Sequence, residues 1–253
     1  VPAPPYSSIL ITGASGGIGA ALALAFAAPG VHLALGGRDP ARLESIAEAC
    51  GRTGALAESA RVDVTHREAM AAWVLAADRA APLDLVIANA GTAGPGDDRG
   101  PEAGRMIFAV NLDGVLNTIE PIVPAMSARC RGHLALMSSL AGFRGLPTAP
   151  AYCASKAAVR VWGEGLRGRL GRRGIAVSVI CPGFVRTPMT TDNRFPMPLI
   201  MSPERAAAII RRGLLRRRAR IAFPLPLYWG VRVLQALPPG TADRWLARVP
   251  DKE

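Results

Sequence analysis

Lysine is nearly absent from this 253-residue chain: of 30 lysines and arginines, only Lys156 and Lys252 are lysines. Basic positions are otherwise filled with arginine, which makes the lone interior lysine conspicuous. Cysteine pairs are missing too. Cys50, Cys130, Cys153 and Cys181 lie far apart with no CxxC spacing. That argues against a disulfide framework and for free thiols in a reducing compartment, the cytoplasm. His32, His66 and His133 form no HxxxH or HxH pattern, so no catalytic metal is expected. No apolar run reaches the roughly 18–20 residues that span a bilayer. The first six residues have neither a basic start nor an apolar stretch, so no secretory leader is expected. Repeats, Ser/Gly linkers and low-complexity tracts are absent. One domain covering residues 1–253 is the economical reading.

Hydrophobic residues make up 50% of the chain and charged residues 19%, enough to bury a sizeable core and exclude global disorder. The net charge of +11 favours anionic partners without choosing among phosphates, nucleic acid and membrane surfaces. Six arginines fall within residues 211–220, ahead of an apolar stretch at 221–237. Contact with an anionic membrane surface, a solvated face and an oligomer contact all stay open for this stretch. No nucleic-acid role is expected, because the arginines lack interleaved aromatics.

Short β-rich runs alternate with helix-length segments along the chain. Strands are expected at 7–12, 31–35, up to 64, 83–88, 132–138, 175–181 and 220–223. Helices are expected at 17–28, 40–50, 67–80, 102–129 (broken near Pro121 and Pro124), 151–172 and 203–218. This alternation is the signature of an α/β fold: a Rossmann-like, doubly wound parallel sheet of about seven strands with helices on both faces. Residues 184–201 read as a loop over the substrate side, and 220–253, with Trp229 and Trp245, as a divergent tail.

The run Thr12-Gly13-Ala14-Ser15-Gly16-Gly17-Ile18-Gly19 sits where the first strand meets the first helix. Glycines let the backbone turn sharply and approach a diphosphate, and the helix N-terminus offers free N–H donors. A glycine cluster alone also suits a plain turn; its position between strand and helix favours dinucleotide binding. The second strand ends near Arg38, which can pair with a 2′-phosphate, so NADP(H) is preferred and NAD(H) stays open. Asp39 before Pro40 reads as a helix N-cap.

With these residues the chain resembles the short-chain dehydrogenase/reductase family, of the compact type of about 250 residues. The match runs from about Ser7 to Thr187. The family's TGxxxGxG is Thr12-Gly13…Gly17…Gly19, its adenine-contact pair Asp63-Val64, and its NAG Asn89-Ala90-Gly91. Its asparagine matches Asn111, its serine Ser139, its YxxxK Tyr152…Lys156, and its PGxxxT Pro182-Gly183…Val185…Thr187. The resemblance implies that Gly13, Ser15, Gly16, Gly17, Ile18, Gly19, Asn89, Ala90, Gly91, Pro182, Gly183, Val185 and Thr187 line the cofactor. It implies that Asn111, Ser139, Tyr152 and Lys156 carry the chemistry, with Tyr152 and Lys156 also against the cofactor.

Tyr152 and Lys156 are four apart on an expected helix and share a face. A nearby ammonium is expected to lower the tyrosine pKa from about 10. Tyr152 then serves as general acid or base, and Ser139 holds the substrate oxygen. Such a pair is usually just a helix-surface neighbour; here it is one of three tyrosines beside one of two lysines, 13 residues after a serine. Ser138 is the rival serine. His66 and His133, with no visible partner, read as structural. Residues such as Leu140, Phe143, Met189, Phe195, Leu199 and Met201, with little fixed charge beyond Arg144, Arg186, Asp192 and Arg194, suggest a lipophilic carbonyl or alcohol substrate; several of the apolar ones can equally pack the loop. The resemblance also implies a homodimer or homotetramer. The alternative to an NADP(H)-dependent oxidoreductase is a non-catalytic dinucleotide-binding sensor or scaffold, and a weaker one is isomerase or dehydratase work.

Overall fold

The computed structural model describes residues 6–94, 101–191 and 196–246. Asp192, Arg194, Phe195, Lys252 and the side chain of Trp245 lie outside the described residues. Seven strands form one parallel sheet in the order β3-β2-β1-β4-β5-β6-β7. They are β1 (Ser8–Thr12), β2 (His32–Gly37), β3 (Leu56–Arg61), β4 (Leu85–Ala88), β5 (Gly132–Met137), β6 (Ile175–Pro182) and β7 (Arg220–Phe223). This is the Rossmann-like topology expected. The order reverses between β1 and β4, so a crevice opens beyond their C-terminal ends.

The central strands are apolar on both faces because helices cover both. Ile9 and Ile11 of β1 face one core, with α1 (Gly17–Phe26), α2 (Pro40–Gly51) and α9 (Pro203–Leu215). Leu10 faces the other, with α3 (Arg67–Ala80), α5 (Gly114–Ile119), α6 (Val123–Ala128) and α7 (Pro150–Gly171). Asp39 caps α2 as read: its carboxylate accepts the Arg42 N–H at 3.1 Å, with Pro40 at the first turn. Such a cap is worth about 1 kcal/mol.

Three sequence expectations change. β3 ends at Arg61, where its register with Gly37 of β2 runs out, so Asp63 and Val64 stand in a turn and not on the strand. The fourth helical region is interrupted near its prolines, as read. After α4 (Pro101–Phe108), a π-helical turn at Ala109–Asp113 leads into α5, and a 3₁₀ turn at Glu120–Ile122 absorbs Pro121 ahead of α6. The joined segment Glu102–Ala128 is, by length and composition, long and apolar enough to cross a membrane, against the expectation that nothing is. Its Val115, Ile119, Ile122 and Met126 belong to the second core. Third, His133 has partners. Its Nδ1 pairs with the Tyr6 hydroxyl and its Nε2 with Ser178, both at 2.8 Å. Burial pushes its pKa down to about 4, and Arg217 adds to the fall.

The tail is helical: α10 (Leu225–Ala236) and α11 (Pro239–Leu246) follow β7. Leu227, Tyr228 and Val231 of α10 pack on Leu140, Phe143, Val179 and Cys181. The basic run does not form one face. Arg220 is tied to Glu164 and Tyr228, Arg211 lies over the Phe26 ring, and Arg216–Arg218 are exposed.

Candidate active site

The first wall of the crevice is the β1–α1 turn. Gly13 has φ +67°, and a Cβ there would lie 2.9 Å from the Ala90 Cα. A Cβ on Gly19 would run into the Gly13 carbonyl oxygen. Only glycines let α1 start this close to the strand ends. No side chain caps α1, and its first turn carries no acid, so the helix N-terminus keeps its donors and partial positive charge for an anion. A Cβ on Gly17 would lie 3.0 Å from the Thr187 methyl, which places Thr187 over that terminus. Gly16 and Ser15 complete the turn, while Ile18 packs partly into the core below. The close approach that Gly13 and Gly19 allow, beneath an uncapped helix terminus, fits a dinucleotide diphosphate.

Asn89 and Ala90 close the turn after β4. Both backbone N–H groups donate to Thr12 Oγ1, at 3.0 and 3.1 Å. Asn89 Nδ2 donates to the Thr12 carbonyl at 2.9 Å. Its polar atoms thus fasten the crevice walls together. At the outer end, Arg38 is exposed just beyond β2, and Ser15 Oγ sits 3.3 Å from where a Gly37 Cβ would stand. Asp63 accepts the Thr65 N–H and hydroxyl at 2.9 and 2.8 Å. Burial works to raise its pKa, but the Thr65 bonds and the nearby Arg38 and His66 hold it below the usual carboxylate range. Val64 is buried against Gly114.

The opposite wall carries the titratable groups. Lys156 is 3% exposed, and its Nζ donates to the Met137 carbonyl at 3.1 Å. Nζ also lies 5.8 Å from the Tyr152 ring centroid. Burial drives the lysine pKa down to about 8. Burial pushes the Tyr152 hydroxyl up, and a hydrogen bond from Ser139 only partly offsets this. The expected lowering of the tyrosine pKa by Lys156 is not what the site shows: burial raises it, Cys153 adds to the rise, and the lowering contribution comes from Ser139. Ser139 Oγ accepts the Ala141 N–H at 3.1 Å and faces the Pro182 carbonyl at 3.4 Å. The rival Ser138 turns away and donates to the Lys156 carbonyl at 2.7 Å. Asn111 is fully buried on the π-turn. Its Oδ1 accepts the Thr92 N–H at 2.7 Å, and its Nδ2 donates to the Thr92 carbonyl at 2.8 Å and to Ser155 Oγ at 3.0 Å. A Cβ on Gly91 would meet both Lys156 Nζ (3.0 Å) and Asn111 Oδ1 (3.1 Å), so this glycine keeps the floor open.

The third wall is β6 and the loop after it. Gly183 N–H donates to the Phe223 carbonyl at 2.7 Å, and Val185 bridges to Met201. The helix α8 (Pro188–Thr191) follows, with Met189 exposed, as is Leu199. Leu140 and Phe143 are buried beneath α10 and pack the tail, so they are not open to substrate. Thr92 and Ser155 were not singled out from sequence; the signal available was position, Thr92 directly after Asn89-Ala90-Gly91 and Ser155 inside Tyr152…Lys156. Among the described residues no three His, Cys, Asp or Glu side chains cluster as metal ligands.

Comparison with known proteins agrees with this geometry. The sequence profile described as short chain dehydrogenase matches residues 7–196. A Myxococcus xanthus protein named as an uncharacterized oxidoreductase is 39% identical over 236 residues, covering 92% of this chain and 93% of its own. A Sphingobium yanoikuyae short-chain dehydrogenase solved with NADPH superposes with a TM-score of 0.80 at 25% identity, covering 97% of each chain. A Mycobacterium paratuberculosis short chain dehydrogenase bound to NAD gives 0.74 at 26% identity, covering 85% of this chain and 94% of that one.

Proposed function

The chain belongs to the short-chain dehydrogenase/reductase family of oxidoreductases, and from that premise we propose that it is an NADP(H)-dependent enzyme interconverting a lipophilic ketone or aldehyde and its alcohol. One observation carries the reading: the Tyr152 hydroxyl, the Ser139 hydroxyl and the Lys156 amine converge beside a crevice that glycines keep open. In reduction, the substrate oxygen takes hydrogen bonds from Ser139 and Tyr152. When bound, the nicotinamide supplies the hydride to the carbonyl carbon. Tyr152, kept protonated by burial, gives its proton to the oxygen as negative charge develops there. The Lys156 ammonium stabilises the phenolate left behind, and the reverse steps oxidise the alcohol. Gly13, Ser15, Gly16, Gly17, Ile18, Gly19 and Thr187 would hold the diphosphate. Asp63 and Val64 would hold the adenine, and Asn89–Gly91, Lys156 and the Pro182–Val185 stretch the nicotinamide end.

Arg38, exposed just beyond the end of β2, supports recognition of a 2′-phosphate. Exposed Met189 and Leu199 support an apolar substrate. Screening ketones, aldehydes and acyl thioesters for NADPH consumption tests the activity; no turnover with any class would remove it. Arg38→Ala is expected to weaken NADPH about 30-fold and NADH less than about threefold, measured by fluorescence titration; equal losses would remove the 2′-phosphate assignment.

This reading treats the chain as one catalytic unit with a variable tail. That none of Cys50, Cys130, Cys153 and Cys181 is joined in a disulfide supports a reducing compartment. Exposed Met106, Phe108 and Val161 on α4 and α7 support pairing of copies through the long helices. Peripheral membrane contact draws support from exposed Leu225, Trp229 and Val233, a stripe along α10 beside Arg232. Sedimentation with and without anionic vesicles separates the two.

A further inference from the structure

Resting on the oxidoreductase reading, we propose that Ser155 is a positioning residue: its hydroxyl ties the Asn111 amide to the first turn of α7 and so fixes where Tyr152 stands relative to Lys156. Ser155 is fully buried, and its single hydroxyl is used twice. It accepts from Asn111 Nδ2 at 3.0 Å and donates to the Tyr152 carbonyl at 2.8 Å.

The two ends of this bridge are held by different contacts. Lys156 has its backbone gripped from outside α7: its carbonyl accepts from Ser138, and Gly142 packs so closely on it that a Cβ would lie 2.8 Å away. On the turn carrying Tyr152, the Ser155 hydroxyl takes the Tyr152 carbonyl. Ala149, at the start of α7, provides no side-chain cap, and Pro150 follows it.

Asn111 is a rigid anchor for that hydroxyl. The π-turn at Ala109–Asp113 inserts one extra residue per turn at this point. Both Nδ2 protons of Asn111 are spent, one on the Thr92 carbonyl and one on Ser155. Its Oδ1 takes the Thr92 N–H. On its other side, Oδ1 and Lys156 Nζ close on the same point beside Gly91. Removing the Ser155 hydroxyl leaves a buried amide proton without an acceptor and loosens the Tyr152 turn. A displacement of about 1 Å at a proton donor can cost on the order of 100-fold in rate.

The experiment compares wild type, Ser155→Ala and Ser155→Thr, with Tyr152→Phe as control. NADPH binding is read by fluorescence and kcat across pH on the best substrate found. Ser155→Ala is expected to lower kcat about 10- to 100-fold and move the kcat–pH profile by about half a unit or more, with NADPH affinity within about twofold. Ser155→Thr, which keeps a hydroxyl, is expected to recover most of the loss. Wild-type kcat and pH profile in Ser155→Ala overturn the proposal, whatever the Tm. A rate loss with an unmoved profile and no recovery in Ser155→Thr is a packing effect and overturns it too. If Ser155→Ala does not fold, Ser155→Cys takes the same measurements with the same criteria. A dead Tyr152→Phe beside a normal Ser155→Ala sinks this inference alone; a normal Tyr152→Phe sinks the reading it rests on.

Discussion

Lys156 and His133 are both buried bases on the same sheet-and-helix scaffold, and burial pushes both pKa values down, to about 8 and about 4. Their surroundings differ. His133 sits near the N-terminal ends of the strands, where the Tyr6 and Ser178 hydroxyls each lie 2.8 Å from one of its two ring nitrogens. Lys156 sits near the C-terminal ends, bonded to the Met137 carbonyl, with the Tyr152 ring and the Gly91 gap beside it. At one end polar groups are tied to one another and hold the fold. At the other they face a gap that glycines keep open, and their desolvation cost sustains protonation states suited to chemistry.

The sharpest break in this comparison comes from Lys156→Met. Turnover is expected to fall by about 10³-fold or more at pH 7, while cofactor-free stability rises. The lysine pKa is depressed from 10.5 to about 8, so the unfolded chain holds the proton more readily; the cost to stability sets in as pH falls below 10.5 and is complete below about 8. Removing it is expected to gain on the order of 1–3 kcal/mol by urea unfolding, discounted for the orphaned Met137 carbonyl. A destabilised variant would show that Lys156 holds the fold as His133 does.

Ser139 and Ser138 sharpen the contrast within one dipeptide. Ser139→Ala is expected to lower kcat about 10²-fold with little change in Tm. Ser138→Ala, which loses the bond to the Lys156 carbonyl, is expected to cost about 1 kcal/mol of stability and change kcat much less. Steady-state kinetics and thermal melts on both variants read the difference.

His133 predicts an acid limb. Its folded pKa is about 4 against 6.5 unfolded, so as pH falls below 6.5 the unfolded chain takes up the proton first. Stability from this group is full above pH 6.5 and lost by about pH 4, by about 3 kcal/mol. Urea unfolding of His133→Gln should lack this share of the acid loss, and its turnover at neutral pH should match wild type. An equal acid loss in the variant would place the titration elsewhere.

The parts legible in the sequence are those where one residue type is dictated by local backbone. Gly13 needs a positive φ, Gly19 allows no side chain, and the alternation of strands and helices sets the sheet. Contacts across the chain were not legible. Ser155 meets Asn111 44 residues away, and His133 meets Tyr6 127 residues away; nothing in their local sequence marks either pairing. The end of β3 was misread because Val62 and Val64 continue an apolar alternation after the pairing with β2 has ended. Pro121 and Pro124 read as breaks, and each sits in the first turn of a new helical segment, where a missing N–H costs little. Phe143 and Leu140 suggested a substrate wall, and α10, unread as a helix, covers them.

The central claim is that the Tyr152 hydroxyl transfers the proton, while the residues along the crevice, from the glycine turn to Lys156, hold the cofactor without needing that hydroxyl. Single-turnover measurement on Tyr152→Phe with bound NADPH tests it directly. The account predicts NADPH affinity within about twofold of wild type and a rate at least about 10³-fold lower; a wild-type rate from that variant would contradict it.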